Sequence, residues 1–438
     1  MREMKDSGVV SIGMIPVEWK AIKLKFLFGD GNEGLKIGPF GSAMKGKTLE
    51  SGEYKIYNQA HLINNDFSLN RHFVSEETFQ ELRNYEVKPG DVLFSMMGTI
   101  GKCRIMPEGY PKGIMDSHLL KAGLNLNIVH PQYFVYAYDK DYSSQVIEQL
   151  LYSSNGTIMN GLNSTILKNV KIAMPYSLGM QRKIVNYLDT KCSKIDEIIE
   201  KQQVIIEKLK EYKLSIINEA VTQGINPDVN MKQSGYKWIG SIPEHWNMVY
   251  AKQLFSQRKD RAFEDDEQLT ASQKYGIISQ KEFMDIEGRQ VMQVLKGEEI
   301  LKHVEKGDFV ISMRSFQGGL EYSEVSGKIS SAYVMLIPNR DKVCDRYYKW
   351  LFKSKKYISA LQGTSNLIRD GQALRFSNFV QVYLPSLDLD EQKKIADYLD
   401  DVCPKIDNEI EKREKLLEKV LEYKKSLIYE VVTGKKEV

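Results

Sequence analysis

The chain has 438 residues, more than one compact core holds, so two or more domains are expected. Its 42% hydrophobic and 27% charged residues are ordinary for a soluble globular protein; no apolar run approaches the roughly 20 residues of a membrane span, and the opening MREMKDSG lacks a signal-peptide core, so a cytoplasmic protein is expected. A net charge of +3 excludes a strongly basic protein that coats DNA unaided; were DNA the target, positive charge would be gathered on one surface or partner subunits would supply phosphate contacts.

In chain order, SGVVSIGMIPVEW begins at Ser7 and contains IPxxW at 15–19. The loop IGPFGSAMKGK (37–47) follows. Its glycines let backbone approach a partner closely, and lysines surround a phenylalanine, which makes Lys36, Gly38, Phe40, Ser42, Lys45 and Lys47 candidate DNA contacts. Residues 41–48, GSAMKGKT, also satisfy the phosphate-loop pattern. That chemistry needs a buried strand before the loop and a helix behind it; the flanking GNEGLKIGPF and TLESGEYKIYN predict neither, so no nucleotide site is expected. KPGDVLFS (88–95) predicts a strand over 91–95, and SMMGTIGKCR (95–104) a glycine-rich turn at its end, suited to phosphate, with Thr99 and Lys102 as candidates. An aromatic cluster occupies 133–138 and a polar loop, SSNGTIMNGLNST, occupies 153–165.

Residues 180–222 carry heptads of a helix of roughly 30–40 residues, about 45–60 Å long. Leu188, Ile195, Gln202, Leu209 and Ile216 occupy one seam position and Ile198, Ile205 and Tyr212 the other. The polar TQGINPDVNMKQSG (222–235) then reads as a linker.

Beyond it the chain is written again. SGYKWIGSIPEHW begins at Ser234, with the second IPxxW at 242–246. EKGDFVIS (305–312) repeats the strand, and SMRSFQGGLE (312–321) repeats its turn with different side chains; Arg314 and Gln317 are candidates for reading base edges. A strand is predicted over 333–337, an aromatic cluster covers 347–352, and SNLIRDGQALRFS (365–377) adds Arg369 and Arg375. The second helical run, 391–433, is identical to 180–222 at 23 of 43 positions. Its seams are Leu399, Ile406, Arg413, Val420 and Leu427, and Leu416 with Tyr423. The offset between copies shrinks from 227 at IPxxW through 217 and 214 to 211 along the helices, so insertions fall in loops on one shared scaffold. Two helices this long find no matching face on domains of this size; packed on each other within one pseudo-symmetric chain, they run antiparallel. Gln202 and Arg413 then sit at equivalent seam positions, where polar groups fix register.

None of the six histidines has metal-ligand spacing, and the four cysteines contain no close pair, so neither a zinc site nor a disulfide framework is expected. Cys192 and Cys403 are repeat equivalents, expected as small packing residues at a helix entry.

The ordered double set of motifs resembles the specificity subunit of type I restriction–modification systems. The matching residues are both IPxxW segments, GPFGS at 38–42, GDVLFSMMGTIG at 90–101 with its weaker copy GDFVISMRSFQG at 307–318, and the helix entries MPYSLGMQRKIVNYLD (174–189) and LPSLDLDEQKKIADYLD (384–400). Two departures stand out: Gly179-Met180-Gln181 lacks the acidic residue that Glu391-Gln392 keeps, and the second half has SQKYGIISQ (272–280) in place of GPFGS. The resemblance implies an α+β protein with target-recognition domains over 1–178 and 225–388 and conserved helical regions over 179–224 and 389–434. The helices would form an antiparallel coiled coil. It further implies a non-catalytic DNA-recognition subunit whose domains each read half of a bipartite, asymmetric site. Two adenine-methyltransferase subunits would dock on the helices and restriction–translocase subunits would join them. S-adenosylmethionine, ATP and magnesium would belong to those partners. The alternatives are a coiled-coil scaffold without DNA specificity and a phosphate-loop nucleotide binder.

Overall fold

The computed structural model describes every residue except 1, 31–33, 40, 70–71, 144, 154–161, 289–299 and 365–373, and only the backbone of 41–42 and 152–153. The chain divides into two compact units, Met1–Gln202 with Lys415–Val438, and Gln203–Glu414. Each unit therefore takes the first part of one long helix or the last part of it, joined to the complementary part of the other. The helices run Leu178–Gln223 and Leu389–Val432, longer than the heptads alone suggested. No described helix is long and apolar enough to cross a membrane.

Each unit is built on a four-stranded antiparallel sheet. In the first, the order is Lys36–Ile37, Leu119–Ala122, Val92–Ser95, Cys103–Ile105; in the second it is Phe255–Arg258, Val334–Pro338, Phe309–Ile311, Glu321–Tyr322. The strands expected over 91–95, 308–312 and 333–337 are thus present to within a residue or two. The first unit adds a three-stranded sheet, Phe73–Val74, Tyr54–Tyr57 and Gly113–Met115, in which the last pair is parallel. At the same place the second has the hairpin Leu269–Ser272 with Gly276–Ser279. Different insertions on one sheet follow from the different loop lengths.

The aromatic clusters form short helices, Pro131–Tyr138 and Asp345–Lys353, that pack on the sheets. Phe94 meets Tyr138 edge-on at 5.0 Å, and Phe255 meets Tyr348 at 5.2 Å. All four rings are fully buried, each contributing roughly 1.5–3 kcal/mol of hydrophobic stabilisation.

Matched hydrogen bonds tie these helices to the long ones. The buried Gln181 side chain accepts from His130 N and donates to the Ile128 and Pro175 carbonyls; Gln392 does the same with Cys344 N, Lys342 O and Leu387 O. Tyr136 Oη donates to Asp189 and Trp350 Nε1 to Asp400, each at 2.7 Å, so one carboxylate position is held by a phenol in one copy and an indole in the other. Tyr133 Oη donates to Val432 O at the end of the second long helix, and Tyr347 Oη to Val221 O at the end of the first. Both bonds satisfy carbonyls that a helix C-terminus leaves without a partner.

The long helices pair antiparallel. Lys424 meets Asp196 in the first unit and Lys213 meets Asp407 in the second, both at 2.6 Å, and the two pairs are repeat equivalents. At the first predicted seam position, Leu188, Ile195, Ile216, Leu399, Ile406 and Leu427 are buried, and Gln202, Leu209, Arg413 and Val420 are half-buried. The second seam position lies one residue later than the heptad reading put it. Ile198 is 47% exposed, Tyr212 58%, Leu416 45% and Tyr423 56%, while Ile205 is half-buried. Their successors Ile199, Ile206 and Leu417 turn inward, as does Ile410, and Cys192 and Cys403 are buried in the same row. A spacing of four then three residues keeps the inward stripe as well as three then four does. The apolar residues at 198, 205, 212, 416 and 423 drew the assignment to the wrong flank.

Candidate nucleic-acid interface

The turns at the ends of the central strands bring two candidates of the first unit, Gly38 and Thr99, to one end of the sheet. Strand Val92–Ser95 leaves the sheet at Ser95, whose Oγ lies 2.6 Å from Thr99 Oγ1, closing the glycine-rich turn on itself. Gly38 N donates to Leu119 O on the neighbouring strand. A Cβ at Gly38 would stand 1.8 Å from Asp116 O, so only glycine permits that approach. The turn 116–118 lies between them. There His118 N and Nδ1 face the Asp116 carboxylate at 3.0 and 3.2 Å, and burial pushes the Asp116 carboxyl above its usual range. The His118 imidazole is otherwise half open to solvent.

The lysines disperse around this cluster. Lys36 Nζ donates to Asn84 O, Lys47 pairs with Glu81 at 2.6 Å, and Lys45 is exposed. Lys102 turns inward: it pairs with Asp141 at 2.8 Å, donates to Ile63 O, and keeps 12% of its side chain exposed. It serves the fold rather than an open surface, because two neighbouring acceptors outcompete water for its ammonium. Phe40 and Arg369 lie outside the described residues, as do the Ser42 side chain and most of 153–165 and 365–377. Before the phosphate-loop stretch stands only the two-residue strand Lys36–Ile37, which is not buried; the single helical turn Gly41–Met44 lies inside the pattern itself, and the next element after it is the strand Tyr54–Tyr57. A strand of two residues and a helix of four give no buried phosphate cradle, and the lysine of the pattern is engaged by Glu81.

In the second unit, strand Phe309–Ile311 ends in the short helix Ser315–Gly318, held by Ser315 Oγ accepting from Ser312 N at 2.8 Å. Arg314 and Gln317 both point into solvent. Arg375 is exposed at the start of helix Phe376–Phe379.

Two glutamines missed by the sequence reading link these turns. Gln59 Nε2 lies 2.8 Å from Met97 O, 3.0 Å from Ser95 Oγ and 3.4 Å from His118 O, so one amide braces two turns. Gln273 Nε2 donates to Arg314 O at 3.2 Å. Met97 and Arg314 are equivalent at the offset of 217, whereas Gln59 and Gln273 are related by 214. The repeat offset therefore drops to 214 at the glutamines and rises again to 217 at the strands. A steadily shrinking offset passes over that dip. The first copy carries its additional residues, GPFGS among them, before Gln59, which explains why the second copy has no counterpart of that motif.

Among the described residues no group of three or more histidine, cysteine or acidic side chains could hold a metal ion.

Comparison with known proteins follows the same repeat. The family model described as the type I restriction modification DNA specificity domain matches twice, at residues 30–211 and 243–419. A protein of Methanocaldococcus jannaschii assigned as the MjaX type I restriction enzyme specificity subunit is 26% identical over 437 residues, covering 97% of this chain and 95% of its own length. The MjaVIII specificity subunit of the same organism is 25% identical over 342 residues, 74% of either chain. Among solved structures, a chain from work on complex assembly and conformational transition of the type I R-M system superposes with a TM-score of 0.70 at 14% identity, covering 96% of this chain and 99% of that one. The HsdS subunit of Thermoanaerobacter tengcongensis gives 0.52 at 14% identity, covering 96% and 98%. At these identities the structural likeness speaks for the fold.

Proposed function

The chain belongs to the type I restriction modification DNA specificity family, and from that premise we propose a division of labour within it. It is a sequence-specific DNA-recognition subunit with two recognition domains for a two-part site. We take the domains as 1–178 and 225–388, each reading one half-site through the turns at the ends of its central strands. The helical regions 179–224 and 389–434 set the unread spacer and dock two adenine-methyltransferase subunits, with restriction–translocase subunits completing the complex. Chemistry, with S-adenosylmethionine, ATP and magnesium, is assigned to those partners, and the complex works on DNA in the cytoplasm. One observation carries the reading: the same braced turn occurs in both units with different exposed side chains, Met97 in one, Arg314 and Gln317 in the other. A shared scaffold with unlike reading residues fits an asymmetric bipartite target. Partners that close around the duplex also account for a net charge of only +3.

The test is methylome sequencing of a methylation-free host expressing the full chain with its neighbouring methyltransferase subunit, after the two are shown to co-purify. Methyladenine at one two-part motif with a fixed gap is expected. Arg314→Ala should then change only one half of that motif. A verified complex that leaves no sequence-defined methylation would overturn the reading in favour of a scaffold.

A further inference from the structure

We propose that Gln59 and Gln273 are equivalent positioning residues, each setting the base-reading turn of its own domain without itself contacting a base. This rests on the DNA-recognition reading above.

The contact is the same in both units although the local structure that delivers it is not. Gln59 is the first residue of helix Gln59–Asn64, whose N-terminus is capped by Asn58. Gln273 sits in the turn between strands Leu269–Ser272 and Gly276–Ser279. From these unlike supports both amides reach the carbonyl two residues beyond the equivalent serines Ser95 and Ser312, Met97 O and Arg314 O. A role confined to helix or hairpin stability gives no reason for the carbonyl to be the same. The second unit makes room for the contact: a Cβ at Gly318 would stand 2.5 Å from the Gln273 amide nitrogen. A second amide, Gln362 Nε2, holds Phe316 O on the same turn. In the first unit the Gln59 amide also reaches His118 O, tying the strand-exit turn to the turn that presents the His118 imidazole.

The chemistry of the brace is specific. Within its own turn each carbonyl accepts backbone N–H groups, Met97 O from Thr99 N and Arg314 O from Gln317 N and Gly318 N, which hold the shape of the turn. The glutamine amide adds a tether from outside the turn and so sets the direction of Met97, or of Arg314 and Gln317, relative to the rest of the unit. Hydrogen-bond readout of a base edge tolerates little angular error, so losing the brace lowers discrimination more than total affinity, most of which comes from phosphate contacts.

Gln→Glu keeps the size of the side chain and replaces the donating amide with a carboxylate that repels the carbonyl. The experiment uses the full chain in its methyltransferase complex. The probes are DNA duplexes carrying the motif found by methylome sequencing and single-base mismatches in either half. Gln59→Glu should lower the preference for cognate over mismatched bases in the first domain's half-site by about tenfold, of the order of one mismatch's worth. Discrimination in the other half, thermal midpoint and co-purification should stay unchanged. Gln273→Glu should do the converse. Unchanged discrimination in both variants, or equal loss in both half-sites, would overturn the proposal while leaving the DNA-recognition reading intact. A wild-type complex without any bipartite preference would remove that reading and the proposal with it. Should a Glu variant not fold, Gln→Met, also without a donor, decides between the same outcomes.

Discussion

At the scale of single residues, two histidines respond to pH in opposite directions. His61 is buried, its Nε2 donating to Leu69 O at 3.0 Å and its Nδ1 accepting from Asn58 N at 3.1 Å. Burial holds its pKa below the ordinary histidine value of about 6.5. The unfolded ring therefore takes up a proton before the folded ring does, and its contribution to stability is lost as pH falls below about 6.5, at up to ~1.4 kcal/mol per pH unit. For His303, burial disfavours the charged ring, but Asp266 at 2.8 Å and Glu305 at 3.1 Å outweigh it and raise the pKa. Its contribution is fully present below about 6.5 and is lost as pH rises through the folded value. Urea unfolding between pH 5.5 and 8 should show a slope below 6.5 that His61→Gln flattens, and a decline above it that His303→Gln flattens. Identical profiles for variants and wild type would contradict both assignments. Neither histidine was legible as a titrating group in the sequence, because the partners of His303 lie 37 and 2 residues away and no spacing rule joins them.

At the scale of elements, the same buried amide recurs at the join between each sheet-bearing domain and its long helix. Gln181 occupies its position without the preceding acidic residue that Glu391 supplies to Gln392, and its three hydrogen bonds are the same. The acidic residue is thus dispensable for the clamp; Glu391 instead faces His245 at 2.8 Å. Gln181→Ala leaves His130 N and two carbonyls without that partner in a buried site, so a loss of about 2–3 kcal/mol is expected in chemical denaturation. A midpoint within error of wild type would show that water replaces the amide. Existence and direction of the long helices were readable from sequence, because a heptad repeated twice admits one antiparallel pairing. The flank of the seam was not: Ile198, Ile205 and Tyr212 are as apolar as Ile199 and Ile206, and composition does not say which of two adjacent rows faces inward. The central strands were readable from GDVLFS and GDFVIS. The glutamine brace was not, since YNQAHL and ASQKYG share only the glutamine and depend on a tertiary contact for their equivalence.

At the scale of the whole molecule, the repeat makes recognition and spacing separable. Adding one heptad at matching places in both long helices should lengthen the spacer by no more than about three base pairs, since seven residues add ~10.5 Å and a base pair rises ~3.4 Å. Both half-site sequences should be retained, as methylome sequencing of the variant would read directly; an altered half-site would refute the separation. The division of the chain into units has another consequence, which concerns the order of synthesis. The core of the first unit includes Leu427, Ile428, Val431 and Val432, and Tyr133 bonds the Val432 carbonyl. A ribosome that has finished residues 1–202 must still make more than half of the chain before that core is complete, which at roughly 5–20 residues per second is of the order of ten seconds or more. The domain translated first is thus completed last, and a nascent chain carries an open apolar face until its final turn of helix emerges.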